Sequence, residues 1–460
     1  MTKPLVSVYI TNHNYGNFIE QAINSVLKQT LQDFEVIIID DGSTDHSREI
    51  IARYEKLPQV VAIYQQNKGL NVTNNIALRA ARGKYLMRLD ADDYLDENAL
   101  MIMADTLKRN PDIGLVFPDY YHVTSEGEII EIIRRHDFDQ VTLFDQPAHG
   151  ACTMVRKRCL EEIGGYDESF SCQDGYYLWM KFIQLFPVKN INLPLFYYRQ
   201  HGKSLTKNEN RILETRSKIV EKQSLKSFRQ LSATAIIPVR GTEIEPGSIA
   251  LRPLCGKPFI NWTIDEALHS SRISQVIVST PDLQILEHLQ TQYGSAITLV
   301  RRPRELAAFN TSIVDTIHHA FSCLPEGQQK TDVFAVLYTE APFLIAHYID
   351  TAIDLLELFN SDSVVAVRQE DHNVFQHRGK GLEQLRQSSS LRLEREFLFR
   401  DLGRMRIVRR CYFEKHNKIL GGQIGHIVLD QTAALNVHSE WDWQLAELIA
   451  SNLELFRPTC

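Results

Sequence analysis

The chain has 460 residues, with 44% hydrophobic, 23% charged and 9% aromatic side chains. This is ordinary globular composition; it excludes disordered, collagen-like and disulfide-scaffold proteins, and at about 150 residues per domain it predicts two or three domains. With 50 Lys+Arg against 57 Asp+Glu the net charge is −7, which gives no support for nucleic-acid binding as the main task and requires any phosphate ligand to have a local site.

In chain order, residues 5–11 (LVSVYIT) form a β-branched run that predicts a strand, and residues 17–28 place Ile19, Ala22, Ile23, Val26 and Leu27 at helical spacing. A second buried strand is predicted over 35–39, ending in Asp40-Asp41-Gly42-Ser43, and a third over 85–89, ending in Asp90-Ala91-Asp92-Asp93. Residues 207–231 contain no Gly or Pro and carry Ile212, Leu213, Ile219, Val220, Leu225 and Phe228 at near-helical spacing, predicting an amphipathic linker helix. The order strand–loop–helix–strand then restarts, with a strand at 234–239, a helix at 260–270 and a strand at 275–279. The fold class expected is therefore α/β, as two tandem nucleotide-binding-type domains over 1–206 and 232–460. Residues 376–400 are basic and Gln-rich, and read as a solvated insertion or a partner-contact arm.

The seven cysteines (Cys152, Cys159, Cys172, Cys255, Cys323, Cys411 and Cys460) are odd in number and widely spaced. They suggest neither a zinc site nor a disulfide framework, but thiols in a reducing compartment. The first residues lack the apolar core of a secretory signal, and no apolar run approaches the ~18–20 residues needed to span a bilayer. The expected location is cytoplasmic, with peripheral contact at the inner membrane face left open.

Open α/β sheets bind ligands beyond the carboxyl ends of their strands, and acidic groups stand at such ends here. A lone Asp-Asp-Gly is usually only a turn, and a lone Asp-x-Asp is a weak signal; together, and each behind a buried strand, they carry more weight. Departure of a nucleotide diphosphate needs a divalent cation to offset developing charge, and the hard carboxylates of Asp90, Asp92 and Asp93 suit Mg²⁺ or Mn²⁺. Asp174, beside Tyr176, Tyr177 and Trp179, fits a general base acting on an acceptor hydroxyl.

Residues 1–206 resemble a family 2 glycosyltransferase of the GT-A fold. The resemblance rests on motifs in order, among them Thr11-Asn12-His13-Asn14-Tyr15, Asp40-Asp41-Gly42-Ser43-Thr44-Asp45, Asp90-Ala91-Asp92-Asp93, Gly164-Gly165-Tyr166-Asp167 and Tyr198-Arg199-Gln200-His201-Gly202-Lys203-Ser204. It implies that Thr11 and Asp41 contact the base and ribose of a UDP-type donor. Asp90 binds the nucleotide, Asp92 and Asp93 hold the metal, Asp174 is the base of an inverting transfer, and His201 and Ser204 close over the diphosphate. The implied partners are a nucleotide-sugar donor and a glycan or lipid-linked acceptor in surface polysaccharide biosynthesis. Gln173 and Tyr177 stand where the family carries acidic groups, which leaves acceptor recognition open. Arg79, Arg82 and Arg88 read equally as phosphate contacts or surface residues.

Residues 233–450 resemble the CMP-sugar synthetases, cytidylyltransferases that activate sialic and related nonulosonic acids. Arg252-Pro253-Leu254-Cys255-Gly256-Lys257-Pro258, Arg302-Pro303-Arg304-Glu305-Leu306-Ala307 and Leu435–Glu447 carry the likeness. The departures fall on chemistry. Glu243 and Glu245 occupy the loop where the family grips triphosphate with cations, residues 338–344 replace a Gln-Pro-Thr-Ser-Pro-Leu-Arg stretch, and Asn436-Val437-His438 replaces a metal-binding Asp-x-Asp. A degenerate or repurposed domain is expected ahead of an active synthetase. Arg240 and Lys257 remain candidate anion contacts, with exposed-loop and helix-start roles as the plain alternative. The resemblance further implies a homodimer through this domain. The competing readings are a bifunctional enzyme that also makes a CMP-activated nonulosonic acid, and a second half that only binds a sugar acid, a nucleotide or a partner.

Overall fold

The computed structural model describes residues 3–134, 150–170, 174–201, 209–224, 231–370, 374–377, 379, 381–384 and 398–453. Backbone contacts divide the chain into two units, Met1–Asn208 with Asn373–Glu396, and Glu209–His372 with Phe397–Cys460.

The first unit runs β1 (Val6–Asn12), α1 (Ile19–Leu27), β2 (Phe34–Asp41), α2 (Ser47–Tyr54), β3 (Val60–Gln65), α3 (Leu70–Ala80), β4 (Tyr85–Asp90), β5 (Tyr94–Leu95) and α4 (Ala99–Arg109). It continues with β6 (Leu115–Val123), β7 (Ile129–Ile133), β8 (Met154–Arg156), α5 (Lys157–Glu162), α6 (Asp174–Phe182) and β9 (Val188–Arg199). The strands order as β3-β2-β1-β4-β8-β6-β9-β5, with β7 paired to β6. β3, β2, β1 and β4 are mutually parallel, while β8 enters antiparallel between β4 and β6. Every residue of β1 and β2 is buried, because helices cover both faces of the sheet. Val8 and Ile10 pack in one core with Ile19, Ile23 and Val26 of α1, whereas Tyr9, Ile37 and Ile39 pack in another with Ala77 of α3 and Trp179 and Phe182 of α6. Each such aliphatic side chain contributes about 1.5–3 kcal/mol on burial.

A buried carboxylate fastens the strands. Glu35 accepts from Ser7 Oγ at 2.6 Å and, through both oxygens, from Arg82 N and Nε at 2.7 Å. Gly83 N donates to Ser7 Oγ at 2.8 Å, and a Cβ at Gly83 would stand 2.5 Å from Ser7 N, so no side chain fits in this turn. The clasp sets the entry to β4 and with it the level at which Asp90 emerges.

The second unit begins with α7 (Glu209–Ser224) and continues β10 (Ala233–Pro238), β11 (Pro253–Leu254), β12 (Lys257–Pro258), α8 (Phe259–His269), β13 (Ile273–Thr280), α9 (Leu283–Tyr293), β14 (Thr298–Arg301), α10 (Ile313–Ser322), β15 (Val333–Leu337) and α11 (Ala346–Leu358). After β16 (Ser363–Glu370) the chain forms the short paired strands β17 (Phe375–His377) and β18 (Leu382–Gln384), which fall in the stretch grouped with the first unit; the second unit resumes with β19 (Leu398–Arg409), α12 (Arg410–His416), β20 (Ile424–Val428) and α13 (Glu440–Ala450). The sheet order is β14-β13-β10-β15-β19-β16-β20, with β14, β13, β10 and β15 parallel and β19 antiparallel to both neighbours. The mixed α/β class expected for both halves is thus present. The helix expected after residue 206 is α7, packed against α11 inside this unit. There Arg272 pairs with Asp354 at 2.7 Å and Ser224 Oγ donates to the same carboxylate at 2.8 Å, all three buried or nearly so. The basic, Gln-rich stretch resolves at its ends into β17, β18 and β19, and residues 385–397 lie outside the described residues.

Candidate functional site

Parallel register carries the acidic motifs to one edge of the first sheet. Thr11 at the end of β1 stands opposite Asp90 of β4, and Asn12 opposite Asp40 of β2. Thr11 Oγ1 donates to Asp90 Oδ1 at 2.9 Å, and Asn12 Nδ2 donates to Asp40 Oδ1 at 2.9 Å. Burial by itself would raise Asp40, but hydrogen bonds from Ser43, Arg48 and Asn12 outweigh it and hold the carboxyl below its ordinary value. The chain turns at Gly42, whose φ of +77° and whose missing Cβ, 2.5 Å from Asn67 N, require glycine.

Asp41 caps the start of α3. Its Oδ1 accepts from Gln65 Nε2 at 2.7 Å and Lys68 N at 2.8 Å, and its Oδ2 from Gly69 N at 2.9 Å. His13 Nδ1 lies 2.8 Å from the Asp41 carbonyl oxygen. The group expected to read the base therefore has three donors on it already and a fixed orientation.

Asp90 is gripped by Arg88, with Nε at 2.7 Å from Oδ1 and Nη2 at 2.8 Å from Oδ2. Of the three arginines weighed from sequence, Arg88 is buried on Asp90 and Arg82 is spent on Glu35. Asp92 Oδ2 lies 2.9 Å from His201 Nε2, and Oδ1 has no partner among the described residues. Asp93 is 1% exposed; Oδ1 accepts from Arg199 N at 2.9 Å, while Oδ2 is buried without a hydrogen bond. Burial, then the nearby charges of Asp92 and Asp90, push Asp93 well above the usual carboxylate range, against the opposing pull of the Arg199 N–H and Arg88. Burial and the same three aspartates also raise Tyr15. Asp90, Asp92, Asp93, Tyr15 and His201 thus share one site.

This donor set fits a hard divalent cation in part. It offers a cleft-side carboxylate, an orphaned buried carboxylate oxygen and an imidazole. Among the described residues no group of three or more His, Cys, Asp or Glu makes a protein-only ligand shell, so the remaining ligands must come from a bound molecule or water. Asp174 is the first residue of α6; its side chain, like Ser204 as a whole, lies outside the described residues. Sequence reasoning passed over Arg199. It is 2% exposed, donates from Nε to the Asp92 carbonyl at 2.9 Å and from Nη2 to Gln21 Oε1 at 2.7 Å, and sits two positions before His201. An arginine directly after the apolar and aromatic run of residues 193–198 was the available signal.

In the second unit a cavity of about 570 Å³ is lined by Arg240, Arg252 and Arg302 and by Glu245, Glu340 and Glu440, among others. Arg252 and Glu440 satisfy each other through two hydrogen bonds of 2.8 and 2.9 Å. Arg302 is different. It is 5% exposed, spends Nη1 on Thr316 Oγ1 and Nη2 on the Val239 carbonyl, and keeps a buried Nε with no partner. Burial, then the neighbouring charge of Arg240, pushes it down to about 10; it stays charged at neutral pH. Arg240 lines the same cavity, its Nε 3.2 Å from the Ala307 carbonyl and its guanidinium 4.5 Å from the Phe309 ring.

Two sequence expectations separate here. Glu245 lines the cavity, but Glu243 turns to the start of α9, accepting from Leu283 N at 3.4 Å. Gly241 and Thr242 lock the loop in that course, since Thr242 N and Oγ1 both donate to Asp282 Oδ2, at 2.8 and 3.0 Å. Lys257 does not line the cavity; its ammonium pairs with Asp265 at 2.6 Å and sits 4.7 Å from the Trp262 ring. No helix among the described residues is long and apolar enough to cross a membrane.

Comparison with known proteins gives two family matches. Glycosyl transferase family 2 matches residues 7–164, and Cytidylyltransferase matches residues 250–388. Chondroitin synthase of Escherichia coli is 31% identical over 208 residues, which is 44% of this chain and 30% of that protein. Hyaluronan synthase of Pasteurella multocida is 28% identical over 224 residues, 48% of this chain and 23% of that protein. The chain thus spans less than a third of the length of either relative. A solved structure, S. aureus TarS 1-349 in complex with UDP-GlcNAc, aligns with a TM-score of 0.42 at 18% identity, over 49% of this chain and 67% of that one. Residues 7–164 therefore match the glycosyl transferase family 2 model and residues 250–388, later in the chain, the cytidylyltransferase model.

Proposed function

We propose that the first unit is an inverting glycosyltransferase that moves a sugar from a nucleotide-sugar donor, UDP-type favoured, to a glycan or lipid-linked acceptor in surface polysaccharide assembly. The observation that carries this reading is the meeting of Thr11, Asp90, Asp92, Asp93 and His201 at the carboxyl ends of β1, β4 and β9. The relatives named chondroitin synthase and hyaluronan synthase support the same class of reaction.

Thr11 and the hydrogen-bonded Asp41 would contact the base and ribose of the donor. Asp92 and Asp93, with His201 beside them, would hold a Mg²⁺ or Mn²⁺ ion, which when bound supplies charge stabilisation to the departing diphosphate. Arg88 holds Asp90 in one rotamer and offsets part of the repulsion among the three carboxylates. Asp174 takes the proton of the acceptor hydroxyl, and Ser204 joins His201 over the diphosphate. The test is nucleotide release from a panel of UDP-, GDP- and dTDP-sugars by the full chain. Turnover that survives both Asp92→Ala and Asp174→Asn would sink the reading.

One observation favours a second role for the other unit. Arg302 is a buried cation with no carboxylate partner among the described residues, and it opens on a cavity of about 570 Å³. A site of this kind binds an anion, while the absent metal aspartates and the presence of Glu245 oppose a triphosphate–metal complex. The unit is therefore proposed to bind a nucleotide or sugar acid without turning it over. Calorimetry of the full chain with CMP, CTP and N-acetylneuraminate tests this; pyrophosphate release from CTP would replace it with the bifunctional reading.

A further inference from the structure

Planar side chains line up through the first unit, and His201 stands at one end of the line. The Phe18 ring stacks on the His201 ring at 5.5 Å between centroids and 25° between planes. The Arg199 guanidinium lies 4.8 Å from the Phe18 ring and 5.4 Å from the Tyr94 ring. Tyr94 stacks on Tyr197 at 4.5 Å, and Tyr197 on Tyr121 at 4.8 Å. These groups come from four separate stretches of chain: the loop before α1, β5, β6, and the end of β9 with the residues just after it. Tyr15 also meets His201, with an edge contact at 5.6 Å.

Arg199 is the centre of this column. Its guanidinium bonds no carboxylate among the described residues; it donates to the carbonyls of Asp92, Thr124 and Ser125 and to the Gln21 side chain. Its backbone N–H goes to Asp93. One side chain therefore joins the Asp92–Asp93 turn, the β6–β7 turn and α1, and a face of its guanidinium supports the ring that supports His201. Such a planar, permanently charged fork is not reproduced by lysine. A ligand's imidazole performs only if the groups behind it fix its rotamer.

We propose that Arg199 and Phe18 are positioning residues that hold the His201 imidazole on Asp92, and so preset the diphosphate end of the site. This rests on the glycosyl-transfer reading for its consequence, but not for its first measurement. In the full chain labelled with ¹³C-histidine, the His201 ring resonance is identified by its loss in His201→Asn. Arg199→Lys and Phe18→Leu are expected to shift or broaden that resonance without metal, and Phe18→Tyr to restore it. Titration of Mn²⁺ by electron paramagnetic resonance in the presence of UDP is expected to show about tenfold weaker binding in the first two variants. Their kcat, referred to the folded fraction measured by circular dichroism so that general destabilisation does not contribute, falls while the donor KM stays within about threefold. An unchanged His201 resonance in both Arg199→Lys and Phe18→Leu overturns the proposal. A wild-type chain that fails to bind Mn²⁺ with UDP instead removes the donor-site reading and leaves the resonance to decide the positioning role.

Discussion

The two units set opposite charge at the same place in related architectures. In the first, the ends of parallel strands carry Asp90, Asp92 and Asp93 close enough that burial and mutual repulsion hold Asp93 well above its ordinary range. In the second, the cavity beyond β10 and β15 carries Arg302 and Arg240, with Arg302 pushed down to about 10 by burial and by its neighbour. A cluster of buried carboxylates favours a cation, whereas a buried guanidinium with no carboxylate partner among the described residues, as at Arg302, favours an anion. The difference shows why a shared α/β plan settles little about chemistry. What decides is which sign of charge is left uncompensated.

The comparison can be broken most sharply at Asp92. Asp92→Ala is expected to lower sugar-nucleotide turnover by about 10³-fold or more with the circular dichroism spectrum unchanged. A chain that retains wild-type rates would show that the acidic excess does no catalytic work. Asp174→Asn is expected to cost about 10²–10⁴-fold in kcat, as for loss of a general base. On the other side, Arg302→Met should reduce the calorimetric affinity for CMP or N-acetylneuraminate by at least about tenfold, with glycosyl transfer untouched. If neither ligand gives heat with the wild-type chain, the cavity is not the anion site its charge implies.

Smaller effects sharpen the contrast through stability. Asp354→Asn leaves buried Arg272 without its charge partner and is expected to destabilise the second unit by about 3–5 kcal/mol, read as an early transition in urea. The least effect is in acid. Burial opposes but does not overcome the hydrogen bonds that lower Asp40 in the first unit and Asp282 in the second. Both have folded values depressed below 3.8, so each contributes stability that is complete above that pH and is lost as pH falls through the folded value. Urea midpoints measured from pH 5 down to pH 2 should drop in both units, and Asp282→Asn should flatten the second unit's share only.

Much of this was legible in sequence because strand ends announce themselves. The runs before Asp40 and Asp90 are buried on both faces, and Asp-Asp-Gly must turn, so the acidic groups had few other places to go. The helices expected at 17–28 and 260–270 appear as Ile19–Leu27 and Phe259–His269, their ends set by fraying that apolar spacing does not encode. Side-chain direction was not legible. Glu243 and Glu245 look alike in a string, yet one turns to α9 and one to the cavity, in a loop that Asp282 fixes at Thr242 just before them. Arg301, Arg302 and Arg304 form one basic run; only the burial of Arg302 marks it out. Phe18, Tyr94 and Arg199 are distant in sequence, and nothing local reports that they stack.

The bond from Ser224 to Asp354 has a practical meaning for anyone dividing this protein. The helix expected as an amphipathic linker supplies its last turn to the buried Arg272–Asp354 pair and lies along α11. A cut made after it, near residue 232, would strip that polar cluster of one member and uncover the α11 surface it shields. A fragment beginning ahead of Glu209 carries its own cover.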